Sequence, residues 1–451
     1  MALDQRAHRG TAMSLLDRRG LLIRAADQRV VDLFDHAVDD VLGFGGDSES
    51  LLTRALEIDE DFLLGHCLFA LTHVIGNSSS GLDQAKDSID RASRIMDSVS
   101  DREQLHLSAV KAWFESDLGS ASRLYQEIQL NHPLDLMALF AGHWLDFYLG
   151  DAKALMGRVG LALSDWDDSA PGYGYVLGMY AFGLEENGHY DQAEELGRRS
   201  VELNPADAWG VHSVTHVMEM TGRVEEGIEW LQSTLPGWGS STMKLHNWWH
   251  ALLLHIDLGD TDTTLGLYDT RLVDDERADA EALADRVSAL ARLSLLDVDV
   301  GNRWIVLAKL WEPLMFDARS SFNDLHALLA FHYSDRSDLA EALMACVRKQ
   351  YDRTIPMMRV GASVLEGVDG LFQGNNNAAL ALLQENLYHV NLIGGSHAQR
   401  DLVSQITLES AVRAGELSIA KSLLAERKLK RESMPYAYSR HCEQRIADKR
   451  I

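Results

Sequence analysis

The sequence predicts an all-α chain, a superhelical array of short helix pairs (an α-solenoid) that curves strongly on itself. Three observations predict it. Only 7 prolines stand among 451 residues that are 46% hydrophobic, a balance that lets helix run almost everywhere. Apolar residues recur at helical spacing in short segments parted by Gly, Asn or Asp turns. No stretch carries a Gly-rich phosphate loop, a nucleophile elbow or the strand alternation of a dinucleotide-binding unit.

The best-defined pair is "YGYVLGMYAFGLEENGHYDQAEELGRRSVELNPADAW", residues 173–209. Leu177, Tyr180, Ala181 and Leu184 mark a first helix, Gly188 a turn, Tyr190 and Ala193 a second helix, and Pro205 its end. In its period and its small, aromatic and proline positions it resembles the tetratricopeptide repeat. Ala181 and Ala193 stand where the two helices must approach closely. The same template fits more loosely elsewhere. In chain order it covers 102–133 with Ala109, Ala121 and Pro133; 208–237, turning at Gly222; 245–271, turning at Gly259; 322–350, turning near Arg336; and 401–435, turning at Gly415 and ending at Pro435. Roughly ten such pairs would fill the chain, stacked so that the first helix of each builds a concave wall. Residues 1–100 read as divergent N-terminal helical repeats, and 101–451 as a tetratricopeptide-like array continuous with them. "GNSSSGLD" (76–83) and "GNNNAA" (374–379) are short polar turns, and "LVDDERADAEALADR" (272–286) ends one helix and begins the next.

Charge and cysteine usage narrow the partners. With 42 Lys plus Arg against 68 Asp plus Glu, the formal charge is −26, which disfavours nucleic acid and anionic membrane surfaces. Cys67, Cys346 and Cys442 show neither a CxxC nor a regular spacing, so no disulfide framework or thiolate zinc site is expected. The opening "MALDQRAHRGTAMSLLDRRG" carries charge throughout and no apolar core, and no later run is long enough to span a membrane. A soluble, cytoplasmic protein is expected.

The chemistry gathers in "WGVHSVTHVMEM" (209–220) and "HNWWH" (246–250). His212 and His216 share one face of a helix with Glu219, and His246 and His250 share a face of the next first helix. In the repeat register Val211, Val214, Thr215 and Met218 pack inside while the histidines face the concave groove. His106 and His326 fall at the position equivalent to His212. One reading makes His212, His216, His246 and His250 ligands of a transition metal, with Glu219 as a fifth ligand or an orienting partner. Another makes them acid, base or hydrogen-bonding groups around a small organic ligand, walled by Trp209, Trp248 and Trp249. A third leaves them structural. The zinc-protease pattern HExxH is absent, because residue 213 is Ser.

"HPLDLMAL" (132–139), "YGYVLGMYAFGLEE" (173–186), "HSVTHVMEM" (212–220), "HNWWHALLL" (246–254), "FNDLHALLA" (322–330) and "GGSHAQRD" (394–401) run in this order. Together they resemble the tetratricopeptide repeat protein 38 family. The resemblance implies an all-helical, divergent repeat protein without a settled biochemical role. It also raises Asp324, His326, His397, Gln399, Arg400 and Asp401 as ligand-binding candidates. In "GGSHAQRD" the glycines permit a turn before the last repeat, and Arg400 could clamp an anion there, or Arg400 and Asp401 cap and brace the last helix. The function expected is therefore a concave pocket lined by His106, His212, His216, Glu219, His246, Trp249, His250, His326, His397 and Arg400. It would bind a small molecule and act on it by acid/base chemistry, with His212 or His246 as acid or base. The alternative is a cytosolic scaffold holding a peptide segment in the groove. An enclosed site with these side chains in mutual reach favours the first, and an open groove with scattered histidines the second.

Overall fold

A computed structural model describes residues 13–76, 78–273, 275, 278–315, 320–431 and 436–449. The expected last proline, Pro435, and parts of the 272–286 and 76–83 stretches lie outside the described residues. The described residues open on a feature the helical periodicity did not announce, a two-stranded antiparallel hairpin of β1 (Met13–Leu16) and β2 (Leu22–Ala25). Its turn forms because the Asp17 carboxylate accepts hydrogen bonds from the Arg19 and Leu21 amides and Gly20 takes φ 78°.

Helix follows throughout. The first pairs are α1 (Gln28–Leu42) with α2 (Ser48–Ile58), α3 (Leu63–Gly76) with α4 (Ser79–Ser93), and α5 (Asp101–Phe114) with α6 (Leu118–Asn131). Next come α7 (Leu136–Tyr148) with α8 (Ala152–Ala162), α9 (Tyr173–Glu186) with α10 (Tyr190–Leu203), and α11 (Ala208–Met220) with α12 (Val224–Trp238). The later pairs are α13 (Lys244–Leu258) with α14 (Thr261–Leu267), α15 (Ala280–Ser294) with α16 (Arg303–Trp311), and α17 (Ser321–Tyr333) with α18 (Ser337–Gln350). The array ends with α19 (Pro356–Phe372) and α20 (Asn376–Glu385), α21 (His397–Ala414) and α22 (Leu417–Lys430), and a final α23 (Ala437–Asp448). Within each pair the helices pack on each other, and first helices stack on first helices, α9 on α11, α11 on α13, α13 on α15 and α15 on α17. This is a tetratricopeptide-like α-solenoid.

The residues explain the breaks. Asp135, Asp151, Asp207, Asp260 and Asp279 cap helix starts with their side chains, which employs part of the acidic excess. Gly188 (φ 78°) and Gly222 (φ 72°) turn the pairs centred on α9 and α11, while Ser116 and Asp335 make the same left-handed turn at φ 65° and 59° without glycine. Ala181 and Ala193 are fully buried where α9 meets α10. Gly183 lets α8 come closer still, since a Cβ there would lie 2.6 Å from the Met156 Cα.

Two expectations are corrected. The last repeat starts at His397, not at 401, because Ser396 and Gln399 form a capping box that begins α21 there. The concave wall, expected to line a ligand pocket, is filled at its centre, since every residue of α11 is buried, on the face of His212, His216 and Glu219 as well as on the opposite one. What fills it is the C-terminal part of the chain. α21 packs on α15, and α23 on α13. Asn391 donates to the Gly150 carbonyl at 3.0 Å, the His397 amide to Glu186 at 2.8 Å, and Arg431 to Glu219 at 3.0 Å and Asp257 at 2.8 Å. The solenoid thus curves until its end closes on its middle. One hydrophobic core runs from Ile23 to Leu254 and takes in Tyr436 from the C-terminal part, a second runs from Leu245 to Ile446, and a small third joins Leu184, Ala193 and Val217. Among the described residues no helix is long and apolar enough to cross a membrane.

Candidate metal centre

α11 and α13 each carry two histidines one helical turn apart, and stacking sets the two pairs face to face. One ring nitrogen from each of His212, His216, His246 and His250 lies within 4.8 Å of the others. The His212 and His216 Nε2 atoms are 2.9 Å apart, and those of His212 and His246 are 3.2 Å apart. A tetrahedral ion with metal–nitrogen bonds of about 2.05 Å would set such nitrogens about 3.3 Å apart. His216 and His250 are fully buried, His212 is nearly so, and the His246 side chain is 21% exposed.

Carboxylates on the far side of the rings fix their tautomers. His246 Nδ1 meets Asp285 of α15 at 2.8 Å, and His250 Nδ1 meets Glu219 at 3.2 Å. A carboxylate only accepts, so each of these Nδ1 atoms carries a proton, which in a neutral ring leaves the Nε2 with a lone pair turned inward. At most one proton can lie between the Nε2 atoms of His212 and His216, and among the described residues His250 Nε2 has no hydrogen-bond partner. Burial, reinforced by the neighbouring imidazoles, pushes His212, His216 and His250 well below the ordinary histidine range. Neutral rings with their lone pairs turned to one point are the state in which imidazole binds metals.

Behind His216 stand Glu185 and Glu186, at the last turn of α9, and His397, at the first turn of α21. His216 Nδ1 is 3.5 Å from Glu185, and His397 Nε2 is 2.7 Å from it. Burial pushes Glu185 up to about 7 against the pull of His397. Burial opposes charge on His397 too, yet Glu185 and Glu186 hold it up at about 9. Aromatic rings close the walls. Trp249 stacks on His246 at 5.0 Å, Trp209 lies 4.9 Å from His212, and Phe182 lies 5.5 Å from His216.

The other sequence candidates stand apart from the four rings. His106 meets Asp135 at 2.9 Å, where Arg102 also pairs, in the N-terminal core. His326 binds the Phe322 carbonyl at 2.7 Å, and Asp324 accepts from the Tyr351 hydroxyl at 2.7 Å. Gln399 is spent on the capping box. Arg400, expected to clamp an anion from a loop, lies in the first turn of α21 and is held by Glu186 at 3.0 Å and by the Gly395 carbonyl. Asp401 is paired with Arg427 at 2.7 Å. Glu219 orients His250 from outside the ring of nitrogens.

The four clustered histidines line neither of two cavities in the fold. A cleft of about 520 Å³ lies by the α1–α2 turn, with Asp39, Asp40 and Tyr175 in its wall. A void of about 10 Å³, room for about one water, lies beside Glu219, Arg292 and Arg431. Sequence reasoning missed Glu185, Glu186, Asp285 and Arg431. For the first two a signal existed, since paired acids at the C-terminal end of an apolar helix oppose its dipole. Asp285 and Arg431 reach the site only through the closure of the array and left no local sign.

No family model matches the chain. Among solved structures it is similar to human IFIT1, determined as a dimer with m7Gppp-AAAA, at 12% identity over 94% of this chain and 95% of that one, with a TM-score of 0.42. It is similar as well to a Rap protein complexed with competence and sporulation factor (14% identity, 72% of this chain, 99% of that one, TM-score 0.41). A tetratricopeptide repeat protein from Parabacteroides merdae is similar at 14% identity over 60% of this chain and 97% of that one, with a TM-score of 0.35. With scores this low, the architecture rests on the helix pairs themselves.

Proposed function

We propose that this chain is a metal-binding tetratricopeptide-like repeat protein in which His212, His216, His246 and His250 hold one first-row transition-metal ion. One observation carries the reading. One ring nitrogen from each of the four histidines converges on the others, three of the side chains buried and His246 partly so, with the Nε2 atoms of His212, His216 and His246 at 2.9 and 3.2 Å and two carboxylates behind His246 and His250. Without a cation those lone pairs repel in a medium that screens poorly. The all-imidazole donor set suits zinc, copper, iron or nickel and not the oxygen-seeking calcium or magnesium.

This reading narrows the small-molecule hypothesis. Rings with nitrogens 2.9 and 3.2 Å apart leave no space for an organic group between them, whereas these two pairs need to part by only about 0.1–0.4 Å to take one ion. His212, His216 and His250, held so far toward the neutral form, are weak bases, which argues against acid/base work by these three bare rings. Any exchanging ligand would approach beside His246, the most exposed of the four. The free cysteines fit a reducing, cytoplasmic setting, and the net charge of −26 stands against a polyanionic partner. We also infer membership of the tetratricopeptide repeat protein 38 family. The strings that carry that resemblance supply Glu185, Glu186, the four histidines and His397 to this one centre.

Mass spectrometry of metal content tests the function, on protein made without a histidine tag, stripped with chelator and reloaded with zinc. At least one equivalent should remain after gel filtration, and a His212→Ala/His246→Ala variant should lose it. Protein that retains no zinc sinks the reading.

A further inference from the structure

Glu185, Glu186 and His397 are left over by the four-histidine centre, and with His216 they form a second group whose ligand atoms lie within 4.8 Å of one another. Buried acids alone would mean little here, but two further observations point to an ion. Glu185 is 0% exposed, and among the described residues neither of its carboxylate oxygens has an aligned hydrogen-bond donor, although Oε1 is ion-paired with His397. His397 Nε2 lies 2.7 Å from Glu185 Oε1, yet no aligned hydrogen bond joins the two atoms. Polar atoms this close that point past each other are placed as two ligands of a common ion are, since donors at about 2.1 Å from a metal stand roughly 3 Å apart. His216 joins the groups, with its Nε2 toward His212 at 2.9 Å and its Nδ1, which has no hydrogen-bond partner, toward Glu185 at 3.5 Å.

We infer that the centre is dinuclear, with a second divalent cation held by Glu185, Glu186 and His397 beside the first, and the His216 imidazole shared between them. The inference rests on the four-histidine reading for its first ion. The second cation sheds water to bind, His397 and the His216 Nδ1 each release a proton to solvent, and no electron changes hands. Without it, His397 and Arg400 are the positive partners of the two carboxylates, and the cation takes over the charge that His397 supplies. Mixed carboxylate and imidazole donors suit zinc, iron or manganese, a harder set than the first site.

Chelator-stripped full-length protein reloaded with excess zinc, passed through gel filtration and analysed by plasma mass spectrometry should hold two equivalents per chain. A His397→Gln variant, which keeps a polar group of similar reach but removes the imidazole, should hold one. Copper(II) titration of the wild-type chain, followed by paramagnetic resonance, gives a readout that needs no variant. The signal should grow with the first equivalent and be broadened or lost with the second, through coupling across His216. One equivalent in both proteins, with a copper signal that does not change beyond it, overturns the second ion and leaves the first standing, with Glu185 and His397 as a plain ion pair. No zinc in either overturns both readings.

Discussion

Around single residues, the division between groups that touch the ion and groups that aim them can be measured. Asp285 meets His246 Nδ1 at 2.8 Å from outside the cluster. Asp285→Asn keeps the shape but weakens the hold on the tautomer, so zinc affinity should fall about 10–100-fold while the melting temperature of metal-free protein barely moves. Competition with a chromogenic chelator reads the first and calorimetry the second, and unchanged affinity would deny Asp285 its aiming role. Asp324 tests the bland side of the candidate set. Burial pushes it up to about 6, against the Tyr351 hydroxyl that donates to it at 2.7 Å. A carboxyl raised on folding gives its full contribution to stability below its unfolded value near 3.9 and loses it as the pH rises through about 6. Asp324→Asn should therefore compare with wild type more favourably at pH 7.5 than at pH 5, by about 1–2 kcal/mol. Urea midpoints at the two pH values check this, and an equal difference at both would show that Asp324 is not held up.

Within the helical elements, the site depends on how closely backbones approach. Gly183 sits two residues before Glu185 on α9, and a Cβ there would meet the Met156 Cα at 2.6 Å and its amide nitrogen at 2.8 Å. Backbone cannot step aside as a side chain can. Gly183→Ala should push α9 from α8 and cost about 1–3 kcal/mol, and it should weaken zinc retention because the carboxylates of α9 move with the helix. Denaturation with and without zinc separates the two effects. The capping box that starts α21 at His397 matters similarly. Ser396→Ala should cost about 1 kcal/mol and loosen His397 before the rest of its helix, as amide exchange over residues 396–401 would record.

Across the whole molecule, the centre depends on closure of the array. Arg431 reaches from the C-terminal end to Glu219 on α11 and Asp257 on α13, at 3.0 and 2.8 Å, with all three side chains buried. Arg431→Met leaves two buried carboxylates facing each other and should destabilise by about 3–5 kcal/mol. Limited proteolysis should then cut first within α22 or α23, and zinc should slow the cutting, because an ion bound only by the closed form stabilises that form by mass action. If zinc protects the wild type and the variant equally little, closure and ion binding are not linked.

What could be read in the sequence was local and periodic. The α9–α10 pair, its turn at Gly188 and its small contacts at Ala181 and Ala193 followed from helical spacing, glycine and size. So did the one-turn spacing that sets His212 beside His216 and His246 beside His250. The β1–β2 hairpin escaped because its turn comes from a side chain bonding its own backbone and not from a hydrophobic period. The helical start of His397 and Arg400 escaped because two glycines disguised a capping box. Sequence alone determined the all-helical repeat and the pairs of imidazoles, since both depend on residues within one or two turns of each other. Only the tertiary structure decided that the pairs face one another, that Glu185, Asp285 and His397 stand behind them, that Glu219 turns to His250, and that Arg400 is spent on Glu186. Those contacts join segments up to some two hundred residues apart, and they depend on the small rotation from each helix pair to the next, which accumulates over the whole array and is written in no single repeat.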